Sequence, residues 1–270
     1  MSVEERKRRS VGLVLGSGGA RGLAHIGVIE TLLELGYDID YISGCSIGAL
    51  VGGAYAAGEL EAYREWAESL ARKDIVGLLD FSFAWQGLFK GDKLIGVLRE
   101  MIGSQNIEDL PIGYTAVATD LYDQREVWLN HGPLFDAIRA SIAIPSVLTP
   151  WEYQGRILVD GGLINPVPIA PALNHHTDII VAVNPNASRA RPRPGMTNVG
   201  AGPGSVFDVM STSFETMQAT ISRLKLAAYS PDVVIEIPRD ACLFYEFYRA
   251  TELIQVGRER ARAVLLPATG

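Results

Sequence analysis

Gly44-Cys45-Ser46-Ile47-Gly48 sets a serine between two glycines in the pattern G-x-S-x-G. Before it, Ile39 to Ile42 is a short apolar, β-leaning run; after it, Ile47 to Ala57 is small-residue helical sequence. Strand, sharp turn and helix is the setting in which this pattern forms a nucleophile elbow. The requirement is steric. A nucleophile on a tight turn has a strained backbone, so its neighbours must be small. Ser46 would present its hydroxyl at a helix start, with the positive end of the helix beside any negative charge formed in a reaction. A chain with 28 glycines also meets the pattern by chance, so the surrounding elements have to decide.

Two further groups of residues could serve such a serine. Gly16-Ser17-Gly18-Gly19-Ala20-Arg21-Gly22 is a glycine loop that follows the apolar run Val11 to Leu15. Glycines let backbone N–H groups converge on one point, which suits an oxyanion hole. The loop also invites a dinucleotide reading, since Asp38 and Asp40 lie about 20 residues on. The fingerprint, however, needs glycine where Arg21 stands. Arg21 could hold a lipid phosphate or pair with a carboxylate to brace the loop. The second group is Ile157-Leu158-Val159-Asp160-Gly161-Gly162, a buried strand ending in a carboxylate and two glycines. Asp160 is costly there without a partner, unless it is simply a turn residue. A serine nucleophile usually takes histidine as its base. Of His25, His131, His175 and His176, none ends a strand in a glycine turn, whereas Asp160 does. His25 lies between apolar neighbours and reads as packed.

The elements that must position these residues alternate between strand and helix. Val11 to Leu15 reads as a buried parallel strand, and Leu23 to Leu33 as a helix that Gly36 ends. Glu59 to Lys73 reads as a mixed-charge exposed helix. Ile75 to Leu88 is an apolar stripe of no clean period, either core or an apolar substrate wall. Asp92 to Met101 and Leu134 to Ala140 are helical, and Tyr114 to Thr119 with Glu126 to Leu129 is a hairpin. Ala140 to Pro150 is a loop with two prolines. Asp178 to Val183 and Val233 to Ile237 are strands. Asn186 to Gly204 reads as a mobile loop, and Ser205 to Tyr229 and Thr251 to Leu266 as helices. The expected architecture is α/β, a three-layer domain with a mainly parallel sheet and both glycine turns at its carboxyl edge.

Composition narrows the class. The chain has 270 residues, 48% of them hydrophobic, and shows no linker between two cores. Residues 1–10 are expected to be a flexible basic leader and 11–270 a single domain. A net charge of −7 argues against nucleic acid as a partner. Two cysteines, Cys45 and Cys242, make no disulfide framework and fit a reducing, cytoplasmic compartment. The apolar stretch from Ile47 to Gly58 is too short to span a bilayer. Arg6-Lys7-Arg8-Arg9 before Val11 resembles the start of a signal peptide, but cleavage near Ala20 would remove half of the glycine loop. A weaker alternative gives the basic run a peripheral, transient contact with a membrane surface.

The Gly16 loop, the Ser46 elbow and Asp160-Gly161-Gly162, in that order, resemble the bacterial patatin-like phospholipase family. The Ala-Ser and prolines of Ala140 to Pro150 resemble the family's segment before its aspartate. The likeness covers roughly Val11 to Val183. It implies a lipid acyl hydrolase with a Ser-Asp dyad and no metal or other cofactor. Ser46 matches the nucleophile, Asp160 the base, and Gly18, Gly19 and the Arg21 backbone the oxyanion loop. Ser17 departs from the pattern, since many members carry a third glycine there. The substrate-binding residues and the substrate itself, whether phospholipid, lysophospholipid or simpler ester, are not fixed by the likeness. Two other readings stand beside it: an acyltransferase or thioesterase using the same serine, and a nucleotide-binding regulatory module built on the Gly16 loop.

Overall fold

The computed structural model describes residues 9–74, 91–145, 147–188 and 206–266. The readings of the basic leader up to residue 8, of the apolar stripe 75–88 and of the loop 189–204 lie outside those residues. Eight strands form one sheet: β1 (Ser10–Leu15), β2 (Asp38–Cys45), β3 (Gly113–Asp120), β4 (Arg125–Leu129), β5 (Trp151–Tyr153), β6 (Arg156–Asp160), β7 (Ile179–Ala187) and β8 (Val233–Pro238). The order is β5-β6-β3-β2-β1-β7-β8, with β4 also paired to β3. From β3 to β8 all neighbours are parallel. β4 and β6 run antiparallel to β3, and β5 antiparallel to β6.

The helices cover both faces. α1 (Ala24–Glu34), α2 (Ile47–Ala56), α3 (Leu60–Ser69), α4 (Asp92–Ile102), α5 (Leu134–Ser141) and α8 (Ala250–Leu265) enclose the larger core, built on Val11, Leu13 and Leu15 of β1. α6 (Ile169–Leu173) and α7 (Val206–Tyr229) lie on the other face, over Val14, Tyr41 and Ala182. Alternate residues of β1 thus serve opposite cores, as a strand buried on both sides requires. This is the expected three-layer arrangement. Among the described residues, no helix is long and apolar enough to cross a membrane.

Several boundaries differ from the sequence reading, each for a local reason. β7 continues past Val183 to Ala187, because a bulge at Pro185 is spanned by the Asn186 N–H, which donates to Asn184 Oδ1 at 3.0 Å. β5 was not legible, being three residues after a proline-bearing loop. α3 keeps its charges outside but buries Tyr63 and Ala67 on the inner face, so it is a wall and not a free helix.

One feature of the sheet positions the chemistry. β4 covers β3 from Ala116 to Asp120, so β2 and β6 must share the other edge of β3. β2 ends with Cys45 opposite Val117, and β6 ends with Asp160 opposite Ala118. The two strands therefore meet end to end, from opposite directions, along one edge. Ser46 and Gly161 are the residues that follow, so the geometry of the sheet brings the elbow and the Asp-Gly-Gly turn face to face.

Candidate active site

Ser46 stands between β2 and α2 with φ 56° and ψ −126°, a backbone state that costs a non-glycine residue of order 1–3 kcal/mol. Close packing holds it there. A Cβ on Gly48 would come within 2.1 Å of the Leu15 carbonyl, so only glycine lets α2 dock on the end of β1. The Ser46 N–H donates to Ser141 Oγ at 2.9 Å, and that hydroxyl donates to the Val117 carbonyl at 2.6 Å. Ser141, buried at the end of α5, thus ties the strained turn to β3. Sequence reading did not single out this residue within the Ala-Ser segment.

Asp160 is fully buried. Its Oδ1 accepts from the Gly162 N–H at 2.7 Å, and Cys45 Sγ lies 4.0 Å from the same oxygen. Oδ2 has no hydrogen-bond partner. Burial pushes the carboxyl up to about 7, although the Ser46 hydroxyl and the Gly162 N–H both favour the ionised form. The result is a carboxylate beside the serine, with an open oxygen and a proton affinity matched to neutral pH. Burial pushes the Cys45 thiol well up, so it stays neutral. Cys45 and Cys242 are both free.

The glycine loop lies at the end of β1. Its Gly16, Ser17 and Ala20 N–H groups donate to the Val183, Pro166 and Phe244 carbonyls at 3.1, 2.8 and 2.8 Å. Those of Gly18 and Gly19 donate to none of the described residues. Gly19 has φ 56°, and a Cβ there would strike the Phe244 carbonyl and ring. A 3₁₀ turn runs from Gly19 to Leu23 with Gly18 as its cap. In such a turn the Gly18 carbonyl accepts from the N–H three residues on, that of Arg21. The Arg21 side chain is buried: Nε donates to the Gly18 carbonyl, one terminal nitrogen to the Arg239 carbonyl, and the other to Glu215 at 2.8 Å. It braces the loop and has no face left for a phosphate.

The histidines lie elsewhere or are engaged. His25 Nε2 meets the Gly16 carbonyl at 2.8 Å, and burial pushes its pKa down to about 4, so the ring is neutral and donates. His175 stacks on Tyr41, 3.6 Å between ring centres, and with His176 precedes β7, at the amino edge opposite Ser46. β4 ends with Leu129 opposite Ala116 and runs toward the same edge, which carries the exposed His131 away.

Ser46 opens onto a cavity of ≈ 160 Å³. Its lining includes Gly19, Ile47 and Leu50, Tyr63 and Trp66 of α3, Leu94 and Leu98 of α4, Ile142, Ile144, Val147 and Leu148, and Phe244, Tyr245 and Phe247. No charged side chain is among the described lining residues. Among the described residues the apolar wall comes from α3, α4 and the segment after α5; the 75–88 stripe lies outside them.

Comparison with known proteins fits this geometry. The patatin-like phospholipase family model matches residues 13–173, which spans the glycine loop, the elbow and Asp160-Gly161-Gly162. The chain belongs to the patatin-like phospholipase family. An uncharacterised NTE family protein of Mycobacterium tuberculosis is 38% identical over 94% of this chain and 91% of its own length. Neuropathy target esterase sws of Drosophila persimilis is 35% identical over 59% of this chain, which is 12% of that much longer protein. The crystal structure of VipD from Legionella pneumophila aligns with 96% of this chain and 66% of its own at a TM-score of 0.50 and 13% identity, a likeness of fold alone. In this patatin-like chain Ser46, Asp160, Gly18 and Gly19 lie together at the carboxyl edge of the sheet, and no metal-binding cluster occurs among the described residues.

Proposed function

We propose that the protein is a serine acyl hydrolase that cleaves carboxylic esters of lipids through an acyl-Ser46 intermediate, with Asp160 as the base. The observation that carries this is the end-to-end meeting of β2 and β6, which sets a buried carboxyl of pKa about 7 against a strained serine at the mouth of an apolar cavity. Family membership supports lipid ester hydrolysis in general.

In this mechanism ionised Asp160 takes the Ser46 proton as Ser46 Oγ attacks the ester carbonyl. The carbonyl oxygen becomes an oxyanion held by the Gly18 and Gly19 N–H groups and by the N-terminus of α2. The Arg21 backbone, part of the family's oxyanion loop, acts in this chain as the frame of that turn. Protonated Asp160 returns the proton to the leaving alcohol. Water, deprotonated by Asp160, then attacks the acyl-serine, and the acid departs as Ser46 recovers its proton. The apolar cavity holds the acyl chain, since none of its described lining residues is charged.

The nucleotide-binding reading has poor support. Asp38 and Asp40 open β2, with Ser10↔Asp38 paired, so they lie at the edge opposite the glycine loop. The test is a fluorophosphonate probe, which should label the native protein and not Ser46→Ala. Equal labelling of both would remove Ser46 from the mechanism. Acyl-CoA and phospholipid supplied separately, with released acid followed against transferred acyl group, separate hydrolase from transferase and thioesterase.

A further inference from the structure

Two residues after Asp160, three polar atoms from three parts of the chain crowd one glycine. A Cβ on Gly162 would lie 2.3 Å from Gln218 Nε2, 2.6 Å from Ser17 Oγ and 2.9 Å from Asp160 Oδ1. Ser17 precedes the two open amides of the glycine loop, Gln218 comes from the middle of α7, and Asp160 ends β6. Ser17 and Gln218 are 1% and 0% exposed, and Gln218 Nε2 donates to Ser17 Oγ at 2.9 Å. The Ser17 backbone is also fixed: its N–H donates to the Pro166 carbonyl at 2.8 Å and its carbonyl accepts from Asn186 Nδ2 at 2.6 Å.

The donor inventory of this cluster points one way. An amide nitrogen carries two hydrogens and Ser17 Oγ takes one; a serine hydroxyl that accepts still has its own proton to give. The Asp160 atom that meets them at Gly162 is Oδ1, which accepts from the Gly162 N–H, and Gln218 Oε1 is buried without a partner. The pair thus packs against Gly162, whose N–H favours the ionised carboxylate. We infer that Ser17 and Gln218 act as a positioning pair, holding the Asp160 carboxylate in register with the glycine loop so that base and oxyanion donors face Ser46 together. The inference rests on the acyl-hydrolase reading and adds to it a role for α7, none of whose described side chains lines the cavity. Among the described residues Cys45 on β2, kept neutral by burial, lies beside Asp160, and Glu126 on β4, which acts on Cys45, pairs with Lys225 of α7 at 3.9 Å and accepts from Asn165. Both are left intact by changes at Ser17 and Gln218.

The experiment is the rate of fluorophosphonate labelling of the full chain from pH 5 to 9, for the native protein, Ser17→Gly, Gln218→Met and the double variant, with thermal melts beside it. Each single variant is expected to lose about tenfold at pH 7 and to move the acid limb up by about half to one pH unit, because the Gly162 N–H that favours the ionised base is no longer held in place. The double variant is expected to be no slower than the worse single one, since either change breaks the same pair. If Gln218→Met does not fold, Gln218→Asn keeps the amide but falls short of Ser17 and should shift the limb alike. A limb unmoved in the folded variants, or losses that simply multiply in the double variant, would overturn the inference while leaving the hydrolase reading in place. Failure to label the native protein, or labelling of Ser46→Ala, would sink the hydrolase reading and the inference with it.

Discussion

Arg21 and Asp160 are both removed from water close to Ser46, and the fold treats them in opposite ways. The guanidinium of Arg21 meets two carbonyls and a carboxylate, Glu215, so its charge is matched from three sides. Asp160 has one backbone N–H and the Ser46 hydroxyl beside it, pairs with no cation among the described residues, and keeps Oδ2 without a fixed partner. Complete satisfaction makes a brace, because every donor is directed at a fixed acceptor and none can turn to a ligand. Incomplete satisfaction makes a reactive group, because burial raises the cost of the charge and leaves an oxygen to accept a proton. The two also differ in what secures them. Arg21 is held by side-chain contacts across the chain, whereas Asp160 is held by strand pairing, with Thr119 Oγ1 donating to its carbonyl at 3.1 Å.

The largest test of this contrast is at the reactive end. Asp160→Asn keeps the shape and removes the base, so kcat/KM on a soluble ester should fall on the order of 10²–10⁴-fold. The same variant should be more stable than the native protein in alkali. The folded pKa of Asp160, about 7, lies above its unfolded value of about 3.9, so its contribution is most favourable below pH 4 and is lost as pH rises through 7. The melting temperature of Asp160→Asn relative to native should therefore climb between pH 4 and 7 and then level off. A gap that is the same at pH 4 and pH 8 would mean that Asp160 bears no such strain.

At the braced end the effects should reverse. Arg21→Met leaves the Gly18 and Arg239 carbonyls without their donor and Glu215 without its cation. It should destabilise the fold by about 2–3 kcal/mol, since Glu215 is partly in water and needs its partner less. Activity of the folded fraction should drop through a displaced loop, with the acid limb of the pH profile where it was. A moved limb would make Arg21 an electrostatic partner of the base and erase the distinction. Ser141→Ala sits between the two cases. It strips the Ser46 N–H of its acceptor and should cost about tenfold in kcat, with KM nearly unchanged, because the elbow and not the cavity loosens.

Parts of this arrangement were legible in the sequence because they are demands of the local backbone. The glycine loop, the serine between glycines and the Asp-Gly-Gly turn each declare themselves within seven residues, and apolar runs gave β1, β2, β6 and the flanking helices. The pairing of β2 and β6 along one edge of β3 was not legible, since nothing in Ile157 to Asp160 says that this strand enters from the opposite direction. Contacts across long separations were equally hidden. Ser141 reaches Ser46 over 95 residues, Arg21 reaches Glu215 over 194, and Gln218 reaches Ser17 over 201. Gln218 in particular looks like any polar residue on a helix until the packing of α7 shows it buried. The cavity wall from α3 was obscured by the helix's charges, which face out while Tyr63 and Trp66 face in.

The smallest expected effect concerns the histidines, and it decides whether the contrast between brace and base is complete. In a triad the imidazole would stand between the serine and the carboxylate, and Asp160 would only orient it. Here His131, His175 and His176 sit toward the other edge of the sheet, and His25 gives its Nε2 proton to the Gly16 carbonyl. Each of the four, changed singly to Gln, should keep kcat/KM within about threefold of native. His25→Gln is the sharpest of these, because a glutamine amide can still donate to Gly16 and so preserves the loop while removing any basicity. Its pH profile is the discriminating measurement. Burial holds His25 at about 4 and Asp160 at about 7, so a limb set by the carboxylate stays near 7 in His25→Gln and disappears in Asp160→Asn. If a folded histidine variant instead lost as much activity as Asp160→Asn, the base would be that imidazole and Asp160 its orienting partner. The unsatisfied oxygen of Asp160 would then need another explanation.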